Sequence, residues 1–358
     1  MANIYDYLTW RGDLTFEQDA FNLIDALLLS LLSYAELDGI VPETGGAVTL
    51  AEAAQQYFAA HERNEKKDER IFLTRVPYLM ETAGACRRYG EIRMSDYADV
   101  LDPETSIQMA AVTFRLPDGR MFASFRGTDN SIVGWKEDFE ISYGTTNGEK
   151  ASAEYLDRIY DGSPLLVGGH SKGGNFAQYA AAFCSPEVQQ SVAAVYSFDG
   201  PGLHDSVRTG EAFGAVASRI VRVVPEQSMI GMIFSDSNED LVVKSSTFGI
   251  LQHDAFTWQI KGKEFEQAEE LSDMSVYFRD LLKNWLSQID DETRESFIET
   301  VFSFFESTGA ETFSQVYSAV FRNVARMIPV YKAMDGQKKQ DVSQVMKALF
   351  ESAVKSAR

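Results

Sequence analysis

Leu165-Leu166-Val167-Gly168-Gly169-His170-Ser171-Lys172-Gly173-Gly174-Asn175 is the stretch on which the reading of this chain turns. It opens as a short apolar strand and runs into Gly173–Cys184, where Phe176, Ala180 and Phe183 recur at helical spacing. Gly169-x-Ser171-x-Gly173 therefore sits where a strand must turn sharply into a helix, which is the setting of a nucleophile elbow. The residues two before and two after Ser171 must be small enough to clear its backbone. The following helix directs its free N–H groups and positive dipole end at the serine. The N–H of Lys172 would then face a developing oxyanion. The spacing matches neither a GxxxxGK[ST] phosphate loop nor a GxGxxG dinucleotide loop.

Working outward, Gln108–Leu116 and Arg120–Phe125 flank Pro117-Asp118-Gly119 and read as a β-hairpin. Pro164–Gly168, Val192–Phe198 and Arg219–Val224 read as buried strands, with helical spacing between the first two. Strand, helix, strand at this pitch predicts right-handed βαβ units and a mostly parallel sheet, an α/β fold. Three zones follow: a helical extension over residues 1–105 packed on the core, an α/β core over 106–262, and a helical extension over 263–358. In the first zone Phe21, Ile24, Leu28, Leu31 and Leu32 predict an amphipathic core helix. The run from Glu62 to Arg70 reads as a solvated face. In the last zone Ser275–Leu286, Glu295–Thr308 and Ser314–Ile328 carry helical apolar spacing.

A second motif precedes the first: Phe125-Arg126-Gly127-Thr128-Asp129, followed by Trp135-Lys136-Glu137-Asp138. FRGTD, then W..D, then GHSKGG resembles the class 3, or fungal-type, lipases of the α/β-hydrolase superfamily, over roughly residues 108–260. GHSKGGN with SFDGPG also looks like a group of uncharacterised bacterial lipase-like proteins. The resemblance implies a serine carboxylic-ester hydrolase working through an acyl-enzyme, with no cofactor and no metal. It implies oxyanion donors at Thr128 and Lys172, the latter standing where those lipases usually have Leu. Arg126, Trp135 and Asp138 are expected to form a buried network that positions the loop.

A triad needs an acid and a base after the serine. Of the four histidines, His61 precedes Ser171, His170 lies inside the elbow and should point away from the active face, and His204 follows Asp199 too closely. His253 is the expected base. Asp199, in Ser197-Phe198-Asp199-Gly200-Pro201-Gly202, is the preferred acid, at a strand end where α/β sites gather. Its placement resembles that in pancreatic-type lipases. Class 3 lipases place the acid after the next strand in a DxVP context, which here reads Arg222-Val223-Val224-Pro225-Glu226-Gln227-Ser228. The family aspartate falls near Ser228, a departure that keeps Glu226 open as the alternative acid. Asp236–Asp240 begins like a calcium loop, but Leu241 stands where Gly is required and Thr247 where Glu is required. Met229–Phe234 is apolar and suits either a lid or a packed helix.

The chain has 358 residues, 33 Lys+Arg against 53 Asp+Glu, and a net charge of −20 at pH 7. Such a surface repels phosphate backbones and anionic bilayers, so nucleic acid and an anionic-membrane anchor are excluded as partners. A small-molecule or neutral lipid ester is the expected substrate. Cys86 and Cys184 make no disulfide framework, and the first residues lack the basic and apolar regions of a signal peptide, so a cytoplasmic location is expected. Lys172 and Ser228 leave room for a second reading, a hydrolase fold kept as a catalytically weak or inactive binding or regulatory protein. Peptidase and acyltransferase chemistry would use the same residues.

Overall fold

Gly119, in the turn of the expected hairpin, has φ +87°, a left-handed backbone that favours glycine. The N–H of Leu116 closes that turn on the Arg120 carbonyl at 2.9 Å. The computed structural model describes residues 1–63, 72–102, 104–105, 107–128, 132–235, 240–307 and a few positions between 336 and 347. The expected helix over Ser314–Ile328, most of the charge run after Glu62, and Asp236–Glu239 lie outside the described residues.

The strands are β1 Val48–Thr49, β2 Arg93–Asp102, β3 Ile107–Arg115, β4 Met121–Phe125, β5 Leu165–His170, β6 Val192–Phe198, β7 Ile220–Pro225 and β8 Leu241–Val243. They form one eight-stranded sheet in chain order, antiparallel from β1 to β4 and parallel from β4 to β8. The fold is α/β with a mostly parallel central sheet. β2 lies in residues read as mainly helical. A bulge between Ser95 and Ala98, with Asp96 at φ +55°, breaks the alternation by which a strand is recognised. β8 is short, covering only Leu241–Val243. Ala255–Thr257 is a 3₁₀ turn, and the short hairpin β9 Ile260–Lys261 and β10 Glu264–Phe265 follows it.

The helices are α1 Ile4–Arg11, α2 Leu23–Leu32, α3 Leu50–Ala60, α4 Phe72–Gly84, α5 Ile132–Glu140, α6 Asn147–Ile159, α7 Lys172–Phe183, α8 Pro186–Ser191, α9 Asp205–Arg208, α10 Glu211–Gly214, α11 Asp273–Leu286 and α12 Asp291–Ser307. Parallel strands laid down in chain order, joined by right-handed crossovers, send every connecting helix to one face. On that face Ala123, Phe125, Leu165 and Val167 pack against α6, α7 and α8. The alternate residues Phe122 and Leu166 point to the other face, into one core with α1, α2, α3 and α4. The N-terminal helices thus form the second layer of the sandwich. The apolar spacing predicted one buried stripe on α2, but every residue from Ile24 to Leu32 is buried, Asp25 and Ser30 included. The sheet covers one side and the other N-terminal helices cover the rest, as an all-round apolar helix requires.

Asp25 anchors this layer. The Asn22 side chain caps α2 and Asp25 returns the bond to the Asn22 N–H at 2.8 Å. Arg88 reaches Asp25 by two bonds, Nε to Oδ1 at 2.8 Å and Nη2 to Oδ2 at 2.6 Å, with both side chains fully buried. The hydroxyls of Tyr7 and Tyr89 also donate to Asp25, at 3.0 and 2.5 Å, and the Phe16 ring lies 4.1 Å from the guanidinium carbon. Among the described residues no helix is long and apolar enough to cross a membrane.

Removing one partner of such a pair leaves a buried charge uncompensated, a loss of about 3–5 kcal/mol. Asp25→Ala should therefore lower the unfolding free energy measured by denaturant titration by that much, while Asp25→Leu with Arg88→Met should recover most of it. Equal losses in both variants would show that the packing, not the charge pair, holds the layer.

Candidate functional site

The elbow is built by backbone crowding. A Cβ on Gly169 would lie 2.3 Å from the Gly173 carbonyl, and one on Gly173 would lie 2.1 Å from the Phe125 oxygen. Nothing but hydrogen fits at either position, so the turn can tighten until Ser171 takes φ +58° and ψ −134°. That is a strained conformation for a residue with a side chain. The serine side chain makes no cap bond to α7, so the first N–H groups of the helix stay uncapped beside it. The Ser171 N–H donates to the Phe198 carbonyl at 3.0 Å, which places the elbow against the end of β6.

Asp199 follows directly on β6, fully buried and at φ +47°. His253 Nδ1 donates to Asp199 Oδ2 at 2.7 Å. A carboxylate accepts and does not donate, so this bond fixes the proton on Nδ1 and leaves Nε2 as the basic nitrogen of the neutral ring. Asp199 Oδ1 accepts from the Ser228 hydroxyl at 2.5 Å and the Gly231 N–H at 3.1 Å. Burial alone would raise the Asp199 carboxyl, but the His253 and Ser228 bonds and the imidazole charge outweigh it and hold the carboxyl below its ordinary value. The alternative acid Glu226 instead has its carboxylate 3.5 Å from the Gln252 amide nitrogen. Within Met229–Phe234, Ile230–Met232 forms a short 3₁₀ turn whose buried Gly231 donates its N–H to Asp199.

On the other flank, a Cβ on Gly127 would come within 2.9 Å of Ser171 Cβ, so the Arg126–Thr128 loop lies against the elbow. The Thr128 hydroxyl donates to Asp138 Oδ2 at 2.5 Å. Burial pushes Asp138 up to about 6, against the pull of Lys172 and the Thr128 bond. The Trp135 side chain lies outside the described residues, and Arg126 forms a two-bond pair with Asp99 of β2, each bond 2.9 Å. The Lys172 side chain turns inward: fully buried, its Nζ lies 3.0 Å from both Glu137 Oε2 and Gln108 Oε1. Glu137 also accepts from the Gly148 N–H at 2.7 Å, so one buried ion pair ties α5, α6 and α7 together beneath the elbow.

Sequence reasoning missed how the base is held. His170 points into the N-terminal layer, but its ring is only 4.7 Å from that of His253. His170 Nε2 lies 2.8 Å from the His253 carbonyl, and Nδ1 lies 3.1 Å from the Tyr34 hydroxyl. A carbonyl only accepts, so His170 carries its proton on Nε2, while the Tyr34 hydroxyl lies 3.1 Å from both Nδ1 and the His170 carbonyl. Burial, then the His253 charge, lowers its pKa to about 3, so the ring is neutral at ordinary pH. Asp254 pairs with Arg75 of α4, and the Trp258 indole donates to the Gln252 carbonyl at 2.8 Å. Nothing in the local pattern around His253 pointed to Tyr34 or Arg75. Ser228 was visible as a departure, but not as a partner of Asp199.

The other histidines lie elsewhere. His61 stacks on Tyr57 at 4.1 Å, and His204 caps α9. Among the described residues, no group of three or more His, Cys, Asp or Glu is arranged to hold a metal ion.

The family model described as Mbeg1-like matches residues 83–303. Among solved structures, the chain is similar to one titled "Crystal structure of M37 lipase", at 14% identity and a TM-score of 0.36, covering 70% of this chain and 84% of that one. No curated protein matches it.

His170 gives acid stability a defined sign. Above its unfolded value of 6.5 neither state holds the extra proton and its contribution is full. Below that, the unfolded chain takes a proton the folded chain refuses, until pH nears 3. This one group should remove about 1.4 kcal/mol of stability per pH unit across that window. His170→Asn should flatten the acid limb of a stability-against-pH curve. Equal slopes would mean that the folded protein protonates His170.

Proposed function

The chain belongs to the Mbeg1-like family, a lipase-like family related to the α/β hydrolases, and we propose that it is a serine hydrolase that cleaves carboxylic esters through a Ser171–His253–Asp199 triad. The observation that carries the reading is the bond from His253 to the buried Asp199 beside a strained serine elbow. In this mechanism His253 Nε2 takes the Ser171 proton as Oγ adds to the ester carbonyl. The N–H groups of Thr128 and Lys172 receive the oxyanion, and Asp199 stabilises the imidazolium. Collapse of the tetrahedral adduct breaks the ester C–O bond, the imidazolium gives its proton to the leaving alcohol, and an acyl-serine remains. Water, deprotonated by His253, then adds to the acyl carbon and restores the serine. No cofactor takes part.

An apolar acyl group suits the site's border. Phe248, Ile250 and Leu251 are exposed, at 74%, 51% and 57%, immediately before His253. An exposed apolar cluster next to a catalytic base favours an apolar substrate. With a net charge of −20 the substrate is a soluble or neutral lipid ester, not one drawn from an anionic bilayer. Cys86 and Cys184 are both free, in keeping with a cytoplasmic setting.

The second reading, a hydrolase fold kept as a binding or regulatory protein, drew on Lys172 and Ser228. Both now have partners that serve the site: Lys172 pairs with Glu137, and Ser228 donates to Asp199. That favours the catalytic reading. Ser171→Ala should abolish hydrolysis of short p-nitrophenyl esters and labelling by a fluorophosphonate probe. A folded wild-type chain that takes no label would return the case to the binding reading.

The choice of acid is tested separately. Asp199→Asn should lower kcat by about 10⁴-fold through the wrong imidazole tautomer. Glu226→Gln should leave it nearly unchanged, and the reverse pattern would move the role to Glu226.

A further inference from the structure

A pocket of about 190 Å³ lies between α9, the turn after Gly231, and α11 with α12. Arg208, Arg279, Lys283 and Arg294 line it together with His204 and Ser235. Asp205 is the one acidic residue among its described lining residues. On a chain of net charge −20 this concentration of cations runs against the average of the surface. Carboxylates that pair with Arg208, Arg279 and Arg294 sit on the solvent side. Asp205 is 75% exposed where it meets Arg208, and Asp291 is 54% exposed where it meets Arg294, whose own side chain is 12% exposed. Exposed carboxylates are screened by water and neutralise these partly buried arginines only weakly.

Two donors are also left over. Ser235 Oγ and Arg294 Nε are buried and have no hydrogen-bond partner among the described residues. A buried unsatisfied donor costs about 1–3 kcal/mol, so a group that accepts from both is stabilised there. Arginine forks with a hydroxyl fit a tetrahedral oxyanion with several acceptor oxygens. The volume is below the roughly 300–1,000 Å³ of sites that enclose drug-sized ligands, so the occupant is a small group.

We propose that this pocket binds a phosphoryl group. Its place in the fold allows two sources. The turn that bears Ser235 begins at the residues holding Asp199, so a phosphoryl head group on an ester substrate would lie beside the acid end of the site. Free phosphate would use the same donors. The first source rests on the hydrolase reading; binding itself does not.

The test titrates inorganic phosphate into the full chain, with chloride at equal ionic strength as control, following thermal unfolding and ³¹P line width. Wild type should show saturable stabilisation by phosphate beyond chloride. Arg279→Gln with Lys283→Gln should weaken binding at least about tenfold, the loss expected from two charge-assisted contacts. Ser235→Ala, a smaller change, should weaken it severalfold and serves if the double variant does not fold. Ser171→Ala should bind phosphate as wild type does, whereas a folded wild-type chain that hydrolyses no ester yet binds phosphate would sink the hydrolase reading and keep the pocket. A lower KM for a phosphoryl-bearing ester than for its neutral analogue, lost in the double variant, identifies the head group. Equal KM values with phosphate binding intact identify the free ion. No saturable effect of phosphate beyond chloride, or unchanged affinity in the variants, would overturn the proposal.

Discussion

Strand order is the constraint on which the rest of this structure depends. From β4 to β8 the parallel strands follow one another in chain order. Right-handed crossovers then stack α6, α7 and α8 on a single face, and the opposite face of an apolar sheet is left bare. No helix inside the crossovers can cover it. The N-terminal helices do so, and α2 is buried on every side. The position of α2 brings an acidic residue into that layer. The fully buried Asp25–Arg88 pair and its two tyrosine partners are what make the carboxylate tolerable there.

The same layer reaches the chemistry. Tyr34, just past α2, bonds to His170, and His170 bonds to the carbonyl of His253. Arg75 of α4 pairs with Asp254. The candidate base and the residue after it are therefore held by residues 83 and 179 positions earlier in the chain. His170 occupies a position that a motif reading treats as a spacer. Its neutrality matters to the proposed mechanism: a charged imidazole 4.7 Å from the His253 ring would repel an imidazolium there, and burial prevents this.

What could be read from sequence divides by range. The strand–turn–helix at Ser171, the hairpin at Gly119 and the strands at 192–198 and 220–225 depend on local spacing and turn chemistry, and they were legible. β2 was hidden because its bulge at Ser95–Ala98 destroys the alternation. The partners of His253 were hidden for a different reason. Tyr34, Arg75 and His170 meet it only through tertiary packing, and no local pattern marks a tyrosine or arginine as the tether of a distant loop. The Asp199–His253 pairing stood between these cases. Chain order narrowed the candidates to Asp199 and Glu226, and only side-chain geometry separates them.

Ser228 and Lys172 depart from the motif, yet each is tied into the candidate site by a partner of its own. The resemblance to class 3 lipases places the acid after β7, where this chain has Ser228. A serine there cannot hold an imidazolium, but its hydroxyl can donate to a carboxylate that comes from the preceding strand, and it does so at 2.5 Å. Asp199 gains a donor that an aspartate at 228 would have replaced with like-charge repulsion. Lys172 follows the same logic. A leucine after the nucleophile would leave Glu137 buried without a cation, while the lysine neutralises it and keeps its own charge off the active face. Each departure is matched by a second residue that makes sense only in its presence, Asp199 with Ser228 and Glu137 with Lys172. Losing Glu137 or Lys172 alone would leave a buried charge uncompensated whatever the site does, so that pair speaks for the fold, while the Ser228 bond to Asp199 bears on the site itself.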